Sequence, residues 1–163
     1  MGVDKTGTVL PLTLTLSPKG ARGDFVGLCL FNGLLNKMQI PPERWLPLKD
    51  PRLTPEGRWE SMVRFEPSSE WFSGHFDQCA LVPGVALLAL AVEMVKRQGR
   101  EQGRRLEVSG FSKVRFKQLV SPDEELCISV AAMPSGPEGR LDFHITCNGE
   151  TVAQGLLKAS EQG

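Results

Sequence analysis

The chain has 163 residues, enough for one domain with a single substantial hydrophobic core. Its 19 Lys and Arg residues balance its 19 Asp and Glu residues, so nucleic acid is not the expected partner. Hydrophobic residues make up 40% of the chain, yet no stretch approaches the roughly 18 to 20 apolar residues that a membrane span needs. These totals predict a globular domain without a membrane span.

In chain order, the first region differs in composition from the rest. Residues 1–24 combine a short Leu/Thr alternation with scattered Pro and Gly, and we expect a disordered or mis-started leader that is dispensable for folding. Residues 25–43 are expected to form a short helix and a linker that ends at Pro41-Pro42. The folded domain is expected to occupy residues 44–163.

The pattern of the remaining chain predicts one helix and several strands. Residues 84–98 follow a Pro-Gly pair and are apolar on nearly every face, which is typical of a buried core helix. Alternating apolar and polar residues predict strands, and an Asn-Gly pair predicts a tight hairpin before the last of them. The predicted strands cover 58–65, 106–120, 126–133, 141–147 and 151–158, after an extended segment at 45–48. The fold class is therefore α+β, with an antiparallel sheet wrapped around one long central helix.

The four cysteines lack the spacing of a metal or redox motif. No CxxC pair occurs among Cys29, Cys79, Cys127 and Cys147, so neither a metal nor a cofactor is expected. With no secretory signal visible, we expect reduced thiols and a cytoplasmic location. Cys79 lies close to His75 in the sequence, but we interpret it as a small buried hydrophobic residue rather than a nucleophile.

A Gly-His-Phe turn stands ahead of the central helix. His75 and Phe76 are followed by Pro83 and Gly84, eight and nine residues after the histidine. This spacing, with the apolar helix and the basic strand behind it, resembles the hotdog-fold 3-hydroxyacyl-[acyl-carrier-protein] dehydratases. The resemblance extends from about residue 45 to residue 158.

The resemblance implies a site at the start of the helix. His75 would act as the base that removes the proton alpha to a thioester carbonyl, since its pKa lies near working pH. Gly84 would let the thioester oxygen approach free backbone N–H groups at the helix N-terminus. Residues expected to bind the substrate are Phe76, Leu81, Pro83, Val85 and Ala89. The acyl thioester would be carried by acyl carrier protein or coenzyme A.

The acid of the resembled family is absent. That family carries Asp or Glu fourteen residues after the histidine, where this chain has Ala89. Glu93, one helical turn further on, is a candidate for a relocated acid, or alternatively a structural carboxylate at the polar end of the helix. Asp77 could orient the imidazole of His75 or be a plain turn residue. We leave these alternatives open at this point.

The missing acid also leaves the function and the assembly open. We expect a homodimer, or a heterodimer with an acid-bearing paralogue. The first hypothesis is a dehydratase-like lyase of fatty-acid or polyene synthesis, and the second is a non-catalytic acyl-thioester binding module. A thioesterase is a third hypothesis, but no carboxylate on the first helical turns could activate water. A cationic group could dock an acidic carrier protein or simply be solvated; it comprises Lys96, Arg97, Arg100, Arg104, Arg105, Lys113, Arg115 and Lys117.

Overall fold

The computed structural model of the protein describes residues 45–72 and 80–163. The predictions for the leader and the N-terminal helix, and those for His75, Phe76, Asp77 and Cys79, lie outside the described residues. Within these ranges one long helix, α1, extends from Gly84 to Glu101, and a 3₁₀ helix covers Glu70–Phe72. The strands are β1 (Leu48–Leu53), β2 (Arg58–Arg64), β3 (Leu106–Phe116), β4 (Glu125–Ala131), β5 (Glu138–Cys147) and β6 (Glu150–Glu161).

The strands form one antiparallel sheet that curves around α1. Their order is β1-β2-β4-β5-β6-β3, so β1 and β3 lie at opposite edges. Nevertheless α1 packs against both edge strands and against β4, which requires the sheet to wrap around the helix. Every residue from Ala86 to Val95 is buried, as expected for a helix that is apolar on all faces. The predicted α+β architecture is confirmed.

Several predicted boundaries were wrong. The extended segment predicted at 45–48 continues as strand β1. The sequence pattern did not predict this strand, because Leu48 is its only buried residue and Pro51 interrupts it. The helix ends at Glu101 rather than Gln98, and Gly103 follows with a left-handed φ of 65°. The third strand ends at Phe116 rather than at residue 120.

Two irregularities in β3 change which of its residues face the helix. The register with β6 shifts between Val108 and Gly110, and again between Ser112 and Arg115. Each shift inserts one extra residue into β3, and at the second one Lys113 adopts a left-handed φ of 53°. As a result Phe116 pairs with Ala153, a fully buried residue of β6.

Candidate functional site

The start of α1 presents free backbone donors. Pro83 is the N-cap residue, with extended dihedral angles and no side-chain capping hydrogen bond. The N–H of Ala86 donates to the carbonyl of Pro83 over 2.9 Å. The N–H groups of Gly84 and Val85 have no acceptor within residues 45–72 and 80–163. These two donors, together with the helix dipole, favour an oxygen atom that carries negative charge.

The segment after β3 fixes the position of this helix start. The N–H of Val82 donates to the carbonyl of Val120 over 2.8 Å, so the residues ahead of α1 are tied to the loop between β3 and β4. The same loop is held to the sheet, because Lys117 donates to the carbonyl of Val152 and Asp123 to that of Phe65, each over 2.8 Å. Backbone hydrogen bonds of the neighbouring residues thus fix the position of the helix start that carries these two donors.

The ring of Phe116 lies against Gly84. A Cβ atom built on Gly84 would come within 3.0 Å of Cζ and 3.1 Å of Cε1 of that ring. Any larger residue at position 84 therefore requires the ring to move. Phe116 remains 36% exposed, so another part of its surface faces outward. Nothing in the sequence pattern indicated this contact, because Phe116 and Gly84 are distant in the chain.

Two tryptophans anchor the chain just ahead of the Gly-His-Phe sequence. The indole N–H of Trp71 donates to the carbonyl of Trp45 over 2.6 Å. The two rings meet edge to face, with their centroids 5.1 Å apart. Trp71 belongs to the 3₁₀ helix and is buried. One flank of the segment that carries His75 is therefore fixed by this pair and the other by the hydrogen bond of Val82.

The described substrate-binding candidates lie at or near the start of α1. Leu81, Pro83 and Val85 are half-buried, and Val85 packs against the core. Ala89 is only 3% exposed and belongs to the hydrophobic core cluster. Substitution of Ala89 by an acid would place a carboxylate among apolar side chains.

Glu93 lies deeper along α1 and is held in ion pairs. Its Oε1 accepts hydrogen bonds from Nε of Arg97 over 3.2 Å and from Nη2 of Arg100 over 2.7 Å. Arg97 in turn donates from Nη1 to the carbonyl of Leu48 over 3.1 Å. Because nine residues separate Glu93 from Gly84, the two are about 14 Å apart along the helix axis. These contacts favour the structural interpretation of Glu93.

Three of the eight cations in this group are held in ion pairs. Arg97 and Arg100 pair with Glu93, and Arg104 pairs with Glu161 over 3.0 Å while donating to the carbonyl of Gly136. The other five form no ion pair with a described residue, and three of these are exposed on β3 or just after it: Lys113, Arg115 and Lys117. Most of the cations without a described partner therefore lie at this sheet edge.

The described thiols and the second histidine lack features of catalysis. Burial raises the pKa of Cys127, as does the charge of Glu60, so its thiol stays protonated near neutral pH. Burial raises the pKa of Cys147 as well, with a further contribution from Glu124. His144 lies 2.9 Å from the hydroxyl of Thr151. Within the described ranges no cluster of three or more His, Cys, Asp or Glu residues could hold a metal ion.

The fold and the sequence define the class of protein. A long helix wrapped by an antiparallel sheet is the architecture of the hotdog fold, and the Gly-His-Phe sequence precedes the helix in this chain. The family profile for ApeI-like proteins, described as ApeI dehydratase, matches residues 52–156, which is more than half of the chain. The chain belongs to this family. Of the described helices, none combines the length and hydropathy needed to span a bilayer.

Curated relatives share part of the sequence. The 3-hydroxyacyl-[acyl-carrier-protein] dehydratase FabZ of Bacillus cytotoxicus is 30% identical over 92 residues, which cover 53% of this chain and 64% of that protein. FabZ of Bacillus thuringiensis matches to the same extent. The alignment thus spans less than two thirds of the length of these relatives.

Solved structures share the fold. The dehydratase heterocomplex ApeI:P from Xenorhabdus doucetiae has a TM-score of 0.55 at 20% identity, over 69% of this chain and 96% of that one. The PaaI protein of E. coli, from the phenylacetic acid degradation operon, has a TM-score of 0.59 at 18% identity, over 84% and 95%. A hypothetical thioesterase with coenzyme A from Streptococcus pneumoniae has a TM-score of 0.56 at 15% identity, over 71% and 84%. The predicted hotdog fold is confirmed by these likenesses.

Proposed function

We propose that this chain binds a 3-hydroxyacyl thioester at the start of α1 and acts as a dehydratase-like lyase in fatty-acid or polyene synthesis. The observation that carries the proposal is the pair of N–H donors at Gly84 and Val85 that have no acceptor among the described residues, in a chain that belongs to a dehydratase family. His75, nine residues before Gly84, is the proposed base.

The chemistry follows from the two parts of this site. Removal of the alpha proton leaves negative charge on the thioester oxygen. The N–H donors at a helix N-terminus stabilise this charge, because they already point at the oxygen and need not move as the charge develops. Histidine suits the role of base because its neutral form is populated near pH 7. Loss of the β-hydroxyl then forms the double bond and releases water, a step that a general acid accelerates by about 10² to 10⁴-fold.

We infer that the acid comes from another chain. Ala89 has no proton to give, and Glu93 is engaged by two guanidinium groups about 14 Å along the helix from the donors. An acid-bearing paralogue could supply the missing group in a heterodimer, and the ApeI:P structure is described as a heterocomplex of dehydratases. A homodimer of this chain would then turn over slowly.

The exposed edge of β3 supports a dimer. No described strand lies beyond β3 in the sheet, so its outer N–H and C=O groups are available for pairing. The unpaired cations Lys113, Arg115 and Lys117 lie at the same edge and suit an acidic carrier protein or the phosphates of coenzyme A. We propose that this assembly works in the cytoplasm, where we expect its carrier.

A non-catalytic acyl-thioester binding module is the second candidate. The observation that favours it is Ala89 itself, since a chain that keeps the donors and lacks the acid can bind without turnover. A thioesterase is disfavoured, because the first turn of α1 contains no acidic residue.

The test separates binding, proton removal and elimination. Wild type, His75→Ala and Glu93→Gln are assayed with 3-hydroxyhexanoyl-N-acetylcysteamine for dehydration and for exchange of the alpha proton with deuterated solvent, and binding is measured by calorimetry with its unreactive amide counterpart. We expect the wild type to exchange the proton faster than it eliminates water, His75→Ala to lose both activities, and Glu93→Gln to keep both.

Three results would contradict parts of this proposal. Rapid dehydration by the wild type that Glu93→Gln abolishes would make Glu93 the acid. Binding without either reaction would favour the binding module. Absence of binding would remove the proposed substrate class.

A further inference from the structure

We propose that Phe116 is a positioning residue, which covers the amide donors at the start of α1 and orients the thioester against them. The inference rests on the proposed function. It is carried by the contact between the Phe116 ring and Gly84, where an added Cβ would lie 3.0 Å from Cζ.

The second irregularity of β3 brings this ring to the helix. Ser112 pairs with Leu156, and Phe116 pairs with Ala153 only because one extra residue is inserted between them. In a regular strand Arg115 would stand opposite Ala153 instead, since each residue of β3 would then match one residue of β6. A guanidinium would face the positive end of the helix dipole, which is unfavourable. The irregularity therefore replaces a cation by an aromatic ring at the donors.

An aromatic ring in this place changes the strength of the donors. Beside Gly84 the ring excludes water from one side of the helix start, and an N–H···O hydrogen bond is electrostatically stronger where water is excluded. The ring also restricts the approach of the thioester to the side of Gly84 that the ring leaves open. Gly84 is glycine here because the ring occupies the place of its side chain.

Phe116 differs from a residue that only fills the core. It is 36% exposed, whereas Phe143, on the inner side of β5, is 1% exposed. Phe111, on the same strand, provides a matched control because its ring packs edge to face on Phe143, with centroids 5.8 Å apart, and is not among the atoms nearest to Gly84.

The experiment compares Phe116→Ala, Phe116→Leu and Phe111→Leu with the wild type, in the full chain. The probe is the amide counterpart of 3-hydroxyhexanoyl-N-acetylcysteamine, in which N–H replaces the ester sulfur. It keeps the carbonyl oxygen that would accept from the donors and binds without reacting, and its affinity is measured by calorimetry. Alpha-proton exchange on the thioester gives KM and kcat separately, and thermal melting reports stability. We expect Phe116→Ala to weaken binding about tenfold, and Phe116→Leu, which keeps apolar bulk, to stay within about threefold. Phe111→Leu should lower the melting temperature with unchanged affinity.

Each outcome decides between two claims. If the wild type binds the amide probe and Phe116→Ala binds it equally well, with an unchanged KM and kcat for exchange, Phe116 has no positioning role and the proposed function stands. If affinity falls in proportion to stability in both the Phe116 and Phe111 variants, the ring acts only through folding and the inference fails. If the wild type binds neither compound, the proposed function fails and the inference fails with it.

Discussion

The two ends of α1 are held in different ways. Near its C-terminus polar side chains tie the helix to the sheet: Arg97 reaches the carbonyl of Leu48, and Gln98 accepts the N–H of Met133 over 2.8 Å. At its N-terminus one backbone hydrogen bond, from Val82 to Val120, and the Phe116 ring hold the chain. The amides of Gly84 and Val85 have no acceptor among the described residues. Polar side chains thus anchor one end of the helix, while two backbone donors mark the other.

The largest expected effect is at the bonded end. Glu93→Ala leaves Arg97, whose side chain is 18% exposed, without its carboxylate. Because removal of one partner strands the other charge away from water, we expect a loss of about 3 kcal/mol in the free energy of unfolding. Denaturant titration measures this loss, and Glu93→Gln, which keeps an oxygen acceptor, should lose less. A loss below about 1 kcal/mol would show that these ion pairs do not stabilise the helix.

A smaller effect on the free energy of unfolding is expected when Gly99 or Gly84, which lie near opposite ends of α1, is replaced by alanine. A Cβ on Gly99 would lie 2.7 Å from the carbonyl oxygen of Arg104, which is backbone, whereas the atoms nearest a Cβ on Gly84 belong to the side chain of Phe116. We expect Gly99→Ala to lose about 2 kcal/mol despite the better helix propensity of alanine. Gly84→Ala should lose less than about 1 kcal/mol, because a ring can rotate away.

Thermal or denaturant unfolding of both glycine variants gives the comparison. Removal of the ring in Gly84→Ala/Phe116→Leu should recover most of the loss at position 84, since it removes the atoms that the new methyl group meets. Equal losses at the two glycines would contradict the claim that the ends are held differently.

The last prediction concerns the rates of amide exchange at the start of α1 and involves no change in stability. The amides of Gly84 and Val85 have no described acceptor, whereas those in the middle of α1 lie in the helical ladder of a buried segment. We expect the first two to exchange with deuterium at least about a hundredfold faster than the amide of Val92, by NMR. Addition of the amide probe, whose carbonyl oxygen can accept from these donors, should slow exchange at Gly84 and Val85 alone. Slow exchange of these two amides in the free protein would mean that they are not open donors.

The elements that the sequence predicts well are those with a strong periodic pattern. The helix starts at Gly84 as expected, because the Pro-Gly pair and the unbroken apolar run leave little alternative. The first strand was missed because its single buried residue, Leu48, gives no alternation. The irregularities of β3 were missed as well, since a left-handed Lys113 has no signal in a regular apolar-polar pattern.

The candidate site also has features that the local sequence predicts and features that it does not. Local spacing was enough to single out the helix start at Gly84, because the motif and the donors are neighbours in sequence. The contact of Phe116 with Gly84 and the pairing of Glu93 with Arg100 depend on tertiary packing or on side-chain geometry. The sequence also could not show which cations form ion pairs, since a partner can lie far along the chain, as Glu161 does for Arg104.

The irregular β3 also limits which proteins can add to this sheet. A flat edge offers evenly spaced hydrogen-bonding groups to any extended chain, which is how many sheets aggregate. Here the register shifts near Ser109 and Lys113 interrupt that spacing twice within one strand. A strand that lacks matching interruptions can pair only with short stretches of this edge, while one with the same two interruptions can pair along its whole length. We therefore expect this edge to pair best with a strand that carries the same two offsets.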